Sequence, residues 1–377
     1  MNKIPFNRAE IDEQDLDNLK QSILTGHISG NGFFTRQAES RISQILGSNR
    51  TLLTTSCTHA LEMTALLLRL VPGDEVIVPS FTFVSTASAF QLHGAKPVFV
   101  DVASQTLNID PILIEAAITP RTRAICAVHY GGVGCEMEKL LRIASKYNIR
   151  LIEDNAHGLF AKYKGRYLGS FGAMATQSFH ETKNITCGEG GALVINDPEL
   201  VERAEILREK GTDRTKFLRG QVDKYTWVDI GSSWVMSDLL AALLCGQIER
   251  AKDINERRMR IWQRYDEELK SWALASDVMT PTIPDDCEHT AHIYHLRFKE
   301  GKVRDRFIEH LKGKGILAVF HYQALNTSKV GLELGGKSGQ CPISEQAAEC
   351  LVRLPLFNTL TKSDQDYVIE NILSFNT

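Results

Sequence analysis

Between residues 51 and 154 this chain alternates short apolar runs with amphipathic stretches, and few folds accommodate that rhythm. Thr51–Thr54, Glu75–Pro79, Pro97–Asp101, Arg123–His129 and Arg150–Asp154 read as strands, apolar enough to be buried on both faces. Thr58–Leu70, Val84–His93, Pro111–Ala117 and Glu136–Tyr147 read as the helices between them. Pro72-Gly73-Asp74 and Gly94 stop the first two, and Asp110-Pro111 is a cap followed by proline in the first turn. Repeated βαβ units predict an α/β fold whose large domain holds a mostly parallel mixed sheet. Two helices precede them: Ile11, Leu16, Leu19 and Ile23 mark one ending near Gly26, and Phe34–Leu46 is a second, stopped by Gly47.

The pattern then changes. Tyr163-Lys164-Gly165-Arg166 reads as a hairpin turn, and Ala173–Phe179 and Ala192–Asn196 as strands. A helical run from Asp238 to about Tyr265 leads towards a smaller α+β unit. Its expected parts are strand His292–Phe298, helix Val303–Lys314, strand Ile316–Phe320 and helix Lys362–Phe375. The expected division is a large domain, 1–245, and a small C-terminal domain, 246–377.

The charge balance, 43 basic against 46 acidic residues, gives no global excess for binding nucleic acid. The apolar stretch Met63–Val71 is broken by Arg69 and is too short to span a membrane. MNKIPFNRAEIDEQD lacks the apolar region of a secretory signal, and none of the eight cysteines forms CxxC. A cytoplasmic enzyme with reduced thiols is therefore expected.

Three motifs are set aside. Gly331 to Ser338 matches the P-loop pattern, but Gly339 and Pro342 stand where its phosphate-binding helix should begin. His289, His292 and His295 suggest a metal cluster, yet residues three apart on a strand face opposite sides, so no metal is expected. No GxGxxG follows a strand, so a nicotinamide site has no support.

Four features fall at expected strand ends or in the loops after them, the edge where open α/β sheets bind ligands. Thr54-Thr55-Ser56-Cys57-Thr58-His59-Ala60 places small hydroxylated residues at a helix start, suited to a phosphate or to simple N-capping by Ser56 or Thr58. Glu153-Asp154-Asn155-Ala156-His157 puts a carboxylate straight after a buried strand, as a cation's partner or as a structural cap. Ser178-Phe179-His180-Glu181-Thr182-Lys183-Asn184, followed by Gly188-Glu189-Gly190-Gly191, can hold a lysine inside a cleft, where burial makes its amine nucleophilic. Pro79 to Thr86 carries Phe81 and Phe83, either to stack on a flat ring or to pack in the core. Together they fit one ligand, pyridoxal 5′-phosphate, which needs an amine, an acid for its ring nitrogen and a phosphate cradle.

The strings SCTHALEM, VPSFTFVSTA, LIEDNAHG, YKGRYLG and SFHETKNITCGEGG resemble those of fold type I, aspartate-aminotransferase-like enzymes. More narrowly, they resemble the DegT/DnrJ/EryC1/StrS sugar aminotransferases, over about residues 3–375. LREKGTDR, RGQVDKYTWVDIGSSWVMSD, AVFHY and RLPLF are similar to the branch that makes dTDP-4-amino-4,6-dideoxygalactose.

The resemblance implies that Lys183 binds the cofactor covalently, that Asp154 pairs with its ring nitrogen and that His157 contacts its phenolic oxygen. Thr58, the backbone at His59, and Ser178 match phosphate binders, with Cys57 beside them, and Phe83 matches the stacking aromatic. His180, Arg219, Lys224, Tyr225 and His321 are candidates for substrate contact. Many members place an Asn from the partner subunit near the phosphate at the position of Val235, which cannot make that hydrogen bond.

The implied reaction moves an amino group from L-glutamate to a nucleotide-linked keto sugar, in a homodimer with shared active sites. Regiochemistry, C4 or C3, and axial or equatorial placement depend on how the sugar tilts over the ring. A related dehydrating branch carries His in place of the lysine, and Lys183 argues against it. A cofactor-binding regulator is the non-enzymatic alternative. The segment Arg208–Lys224 carries six basic and three acidic residues, and reads either as a solvated loop or as a pyrophosphate clamp.

Overall fold

The computed structural model describes residues 3–376. Two helices open it, α1 (Glu13–Leu24) and α2 (Phe33–Leu46). Asp12 caps α1 in a reciprocal pair with Asp15, and Gly47 ends α2 in the left-handed conformation. Then come β1 (Arg50–Thr54), α3 (Cys57–Leu67), β2 (Glu75–Pro79), α4 (Ser85–Leu92) and β3 (Lys96–Val100). They continue with α5 (Pro111–Ala117), β4 (Thr122–Val128), α6 (Met137–Lys146) and β5 (Arg150–Asp154). A small hairpin, β6 (Lys162–Tyr163) and β7 (Arg166–Tyr167), leads to β8 (Met174–Ser178) and β9 (Gly191–Ile195).

Seven of these strands form one sheet in the order β1-β9-β8-β5-β4-β2-β3. Only β9 runs against its neighbours, so the sheet is mostly parallel and mixed, as the alternation implies. Successive residues of a strand face opposite sides. Leu52, Val76, Cys126, Ile152 and Leu193 therefore share a core with Leu61 and Phe90 of α3 and α4. Leu53, Ala175 and Val194 point the other way, onto Phe34 and Ile42 of α2.

After β9 come α7 (Val201–Arg208), α8 (Arg214–Leu218), α9 (Asp238–Glu249) and the long α10 (Ala251–Ala275). The helical run expected to Tyr265 thus breaks at Arg250 and continues ten residues further. β10 (Cys287–Glu288) joins the small hairpin, and β11 (His295–Arg297), α11 (Gly301–Gly313) and β12 (Val319–Phe320) follow. α12 (Lys329–Glu333), α13 (Pro342–Cys350), β13 (Leu351–Arg353) and α14 (Lys362–Leu373) complete the chain.

The second sheet, β11-β13-β12, packs under α10, α11 and α14 around Tyr265, Tyr294 and Phe307. Its strands are shorter than expected. Residues 292–294 approach β11 as loop, after Ala291 at φ 50°, and the edge strand pairs only at Val319 and Phe320. Central β13 and α13 were not foreseen. A cut at 245 would fall inside α9, because Ile248 and Ile254 still share the core of Phe34, while Ile4 crosses over to join the smaller core.

The backbone just after the P-loop look-alike is taken up by a carboxylate of the chain itself. Glu345 accepts the N–H groups of Gly339 and Cys341.

Adjacent carboxylates at the end of β5 do different work. Glu153 is fully buried and accepts the backbone N–H groups of Gly169, Phe171 and Gly172, each at 2.7 Å, with His129 Nε2 at 3.1 Å. It organises the turn into β8, where Gly169 sits at φ 89°. Glu153→Ala should cost about 3 kcal/mol or more, because it strands three buried donors. Urea denaturation of the holoenzyme checks this; a loss below about 1 kcal/mol would contradict that role.

Candidate active site

The carboxyl ends of β1, β2, β5 and β8 open into one cavity of about 980 Å³, closed on its other side by the smaller unit. The loops after these four strands deliver the parts of the site. After β1, Ser56 caps α3 by accepting the N–H of His59 at 3.1 Å, and Ser56, Cys57 and Thr58 line the cavity. The helix N-terminus therefore faces inward with its positive dipole end. Gly191 must be glycine, since a Cβ there would strike the backbone of Ser56 and Cys57.

Asp154, at the end of β5, is 5% exposed. Its Oδ2 accepts Thr86 Oγ1 at 2.7 Å and its Oδ1 accepts the N–H of Ala156 at 3.2 Å. No basic side chain bonds to it among the described residues. Burial raises its pKa, and the two hydrogen bonds and the nearby Lys183 charge oppose that only in part. Lys183 comes from the loop between β8 and β9, with its N–H on the carbonyl of His180 at 2.9 Å. Its side chain is half-buried in the cavity lining, and loss of water brings its pKa down to about 8. The next residue anchors the loop: Asn184 Nδ2 donates to the carbonyl of Thr290 at 2.6 Å, and its Oδ1 meets His292 Nδ1 at 2.9 Å.

A ring cluster forms the far wall. His157 Nδ1 accepts the N–H of Gly131 at 3.2 Å, so that nitrogen carries no proton and Nε2 can donate to Tyr322 Oη, 3.2 Å away. Burial, helped by the Lys183 charge, holds His157 neutral. His292 packs on it with centroids 4.2 Å apart, and His321 bonds Tyr130 Oη at 2.8 Å. Tyr322 sits at φ 47°, a strained conformation for a bulky residue, which turns its ring towards His157 and Phe83.

A model of the DegT/DnrJ/EryC1/StrS aminotransferase family matches residues 9–373. The chain belongs to that family. The Streptococcus pneumoniae protein Spr1654, assigned as a sugar aminotransferase, superposes with a TM-score of 0.91 and 28% identity, covering 99% of this chain and 97% of its own. It has been solved in apo, PMP and PLP forms. The aminotransferase TlmJ of Streptoalloteichus hindustanus gives 0.90 and 29%, covering 98% of both chains. The 3-amino-5-hydroxybenzoic acid synthase gives 0.88 and 26%, covering 99% of this chain and 98% of its own. This is the fold type I class, and pyridoxal 5′-phosphate is the cofactor of this aminotransferase.

The residues of this chain suit that group. A buried carboxylate without a cation, a desolvated amine and a hydroxyl-lined helix start share one cavity.

Sequence and structure agree unevenly on the individual residues. Lys183, Asp154, His157, Thr58, Ser178, Cys57, Phe83, His180 and His321 all line the cavity. Phe83 is 56% exposed and can still stack, whereas Phe81 is core. Thr58 bonds Ser85 Oγ at 2.8 Å. The backbone N–H of His59 is not available to a phosphate, because Ser56 Oγ takes it; the N–H groups of Cys57 and Thr58 remain. Cys57 is half-buried, with its thiol on Thr176 Oγ1 at 3.4 Å. His180 turns its Nδ1 back to Thr182 at the rim.

The other substrate candidates lie apart. Arg219 holds buried Glu205 with two bonds, at 2.7 and 2.9 Å, so it is no free clamp. Lys224 and Tyr225 are exposed outside the lining, and Tyr225 packs on Phe217. Arg208 is buried on Glu39. Val235 bridges to Thr54 and packs beside Gly30, outside the cavity lining.

The three histidines expected as ordinary residues diverge: His289 packs on Trp262, His292 on His157 and His295 on Tyr130. Among the described residues, no three His, Cys, Asp or Glu side chains converge as a metal site.

Tyr322 and Arg353 escaped sequence reading, His292 was weighed only as a metal ligand, and Thr86 entered only as the end of the Pro79 to Thr86 stretch, in the first turn of α4.

The amine of Lys183 should titrate near pH 8. Mixing cofactor-free protein with pyridoxal phosphate should show a rate that rises through that pH and levels off above it, followed by visible absorbance. An inflection near the ordinary lysine value would contradict the cavity's desolvation. Asp154→Asn should still be labelled at Lys183 by borohydride reduction, yet lose about 10²–10⁴-fold in turnover. Turnover near wild type would remove Asp154 from the chemistry.

Proposed function

We propose that this aminotransferase moves the amino group of L-glutamate to a nucleotide-linked 4-keto-6-deoxy sugar. The substrate is taken as dTDP-4-keto-6-deoxy-D-glucose, and the products as dTDP-4-amino-4,6-dideoxy-D-galactose and 2-oxoglutarate. The reading rests on one observation above all: the desolvated amine of Lys183 shares a cavity with the uncompensated carboxylate of Asp154. That cavity, about 980 Å³, lies at the upper end for small-molecule sites and has room for a nucleotide-linked acceptor beside the cofactor. Similarity to Spr1654 and the branch-like strings RGQVDKYTWVDIGSSWVMSD and RLPLF favour a sugar as that acceptor.

When bound, the cofactor supplies an aldehyde for the amine and a ring that takes up an electron pair. The residues of this chain do the rest. Lys183 would hold the cofactor covalently, and its amine, when free and neutral, would take a proton from the donor's α-carbon and return it nearby. Asp154 would keep the ring nitrogen protonated, its carboxylate held in place by Thr86 Oγ1 and the N–H of Ala156. Ser56, Thr58 and Ser178, with the N-terminus of α3, would hold the phosphate. His157, kept neutral and oriented by Gly131, would donate from Nε2 to the ring's phenolic oxygen.

We also propose a homodimer with shared sites, located in the cytoplasm. Phe217, Leu218, Tyr225, Trp227, Val228 and Ile230 are exposed along one segment, with Trp227 at 78%. An apolar stretch of that kind asks for cover, and a second copy would bring Lys224 and Tyr225 to a neighbouring cleft. Trp227→Asp should shift the protein towards monomer in sedimentation; an unchanged dimer would place the contact elsewhere.

Enzyme, L-glutamate and dTDP-4-keto-6-deoxyglucose should yield an amino sugar whose C4 proton shows small couplings in NMR, marking an axial amine. Large couplings would give the gluco epimer, an amine at C3 the other regiochemistry, and no amination would refute the proposal.

A further inference from the structure

Two buried hydroxyls stand behind the carboxylate of the cleft, and only one of them touches it. Thr86, in the first turn of α4, donates from Oγ1 to Asp154 Oδ2 at 2.7 Å. Behind it, 2.8 Å away, lies the Oγ1 of Thr82, in the loop after β2. Thr82 is 2% exposed, Thr86 is fully buried, and both border the cavity. The direction of the pair follows from counting protons. A hydroxyl has one proton to give, and Thr86 directs it at an ionised carboxylate, which has none to return. Thr86 therefore receives the proton of Thr82, whose hydroxyl has no other partner among the described residues. The result is a chain that runs one way, from Thr82 through Thr86 to Asp154.

Packing alone does not account for this pair. Valine matches threonine in volume and carries no polar atom to desolvate, so burial by itself favours valine at both positions. A threonine in a helix ordinarily turns its hydroxyl to a carbonyl of the preceding turn, whereas Thr86 reaches across to the end of β5. The neighbouring carboxylate shows what another set of donors does. Glu153 accepts three backbone N–H groups and faces His129, and serves as a fixed anchor. Asp154 receives one neutral donor on each oxygen, the N–H of Ala156 and the end of the hydroxyl chain. Burial pushes its pKa up, and the bond from Thr86 is the largest influence against burial. Hydrogen bonds in a row polarise one another, so the second hydroxyl strengthens the first by about 10–30%. Neutral donors favour the charged carboxylate without setting beside it a cation that would compete with the ring nitrogen.

We propose that Thr82 and Thr86 are positioning residues that act on Asp154 as one directed chain and keep the shared proton on the cofactor's ring nitrogen. This rests on the aminotransfer reading above and deepens it. Two arrangements differ only in the place of one proton: N–H⁺ facing O⁻, or neutral N facing O–H. The chain stabilises the carboxylate and so favours the first, in which the ring draws electrons more strongly.

The test uses holoenzyme reconstituted with pyridoxal phosphate carrying an isotope-labelled ring nitrogen, whose NMR shift separates the protonated from the unprotonated ring without any substrate. Wild type should lie at the protonated end and Asp154→Asn at the unprotonated end. Thr86→Val should move at least about a fifth of the way between them, and Thr82→Val about half as far as Thr86→Val. The double variant should go no further than Thr86→Val, because Thr82 has no route to the carboxylate without Thr86. Thr86→Ser, which keeps the hydroxyl, should stay at wild type, and neither valine should move the signal of Asp154→Asn. Bleaching of the visible band by L-glutamate should slow in the same order, about tenfold for Thr86→Val. If Thr86→Val does not take up the cofactor, Thr86→Ala is read in its place. A signal unmoved by loss of the Thr86 hydroxyl overturns the proposal. So does Thr82→Val at wild type, which ends the chain at one hydroxyl, and so do shifts that add in the double variant, which mark packing. A wild-type ring nitrogen that is unprotonated overturns it together with the role of Asp154. The full pattern of shifts in an enzyme that L-glutamate does not bleach would support the chain and sink the donor in the aminotransfer reading instead.

Discussion

A carboxylate stripped of water at the end of a central strand, with no cation bonded to it, is the constraint around which this molecule is arranged. Asp154 is buried by the sheet beneath it and steadied by one hydroxyl and one backbone N–H. Neither neutralises it. The desolvated amine of Lys183 is near enough to be felt but belongs to a different loop. Two ionisable groups whose environments disfavour their charged forms persist only where something else stabilises them, and a cationic aromatic ring between them would do so. The strength of the site as an assignment lies in this unmet electrostatics more than in any one contact.

The fold places that pair by simple means. Parallel strands point their carboxyl ends the same way, so the loops after β1, β2, β5 and β8 meet although they are far apart in sequence. Period-two alternation then sends Glu153 and Asp154 to opposite sides. One becomes the anchor of a turn with four donors around it, the other the acid of the cleft. The smaller unit closes the cavity with aromatic rings and a guanidinium that its own strands hold in place.

The charged segment at 208–224 shows how burial can change a motif's meaning. On sequence it carries a local excess of positive charge. In three dimensions Arg208 and Arg219 are consumed by Glu39 and Glu205, acids from other parts of the chain. What remains free on that surface is largely apolar, which turns attention from phosphate recognition to contact between subunits.

Sequence alone determined the sheet, because buried parallel strands need continuous apolar runs and the intervening helices need capped amphipathic ones; β2, α5 and β5 were legible to the residue. It also singled out Lys183 and Asp154 as candidates, through four features taken together and a family resemblance, since alone each also read as an ordinary surface or capping residue. Only the tertiary structure decided the far wall. Tyr322, His292 and Arg353 come from loops and short strands of the smaller unit, whose pairing carries no periodic signal because only two or three residues of each strand take part. It alone also decided that Arg219 is bound and Arg353 is not, because which cation meets which acid depends on distances through space that no spacing along the chain encodes.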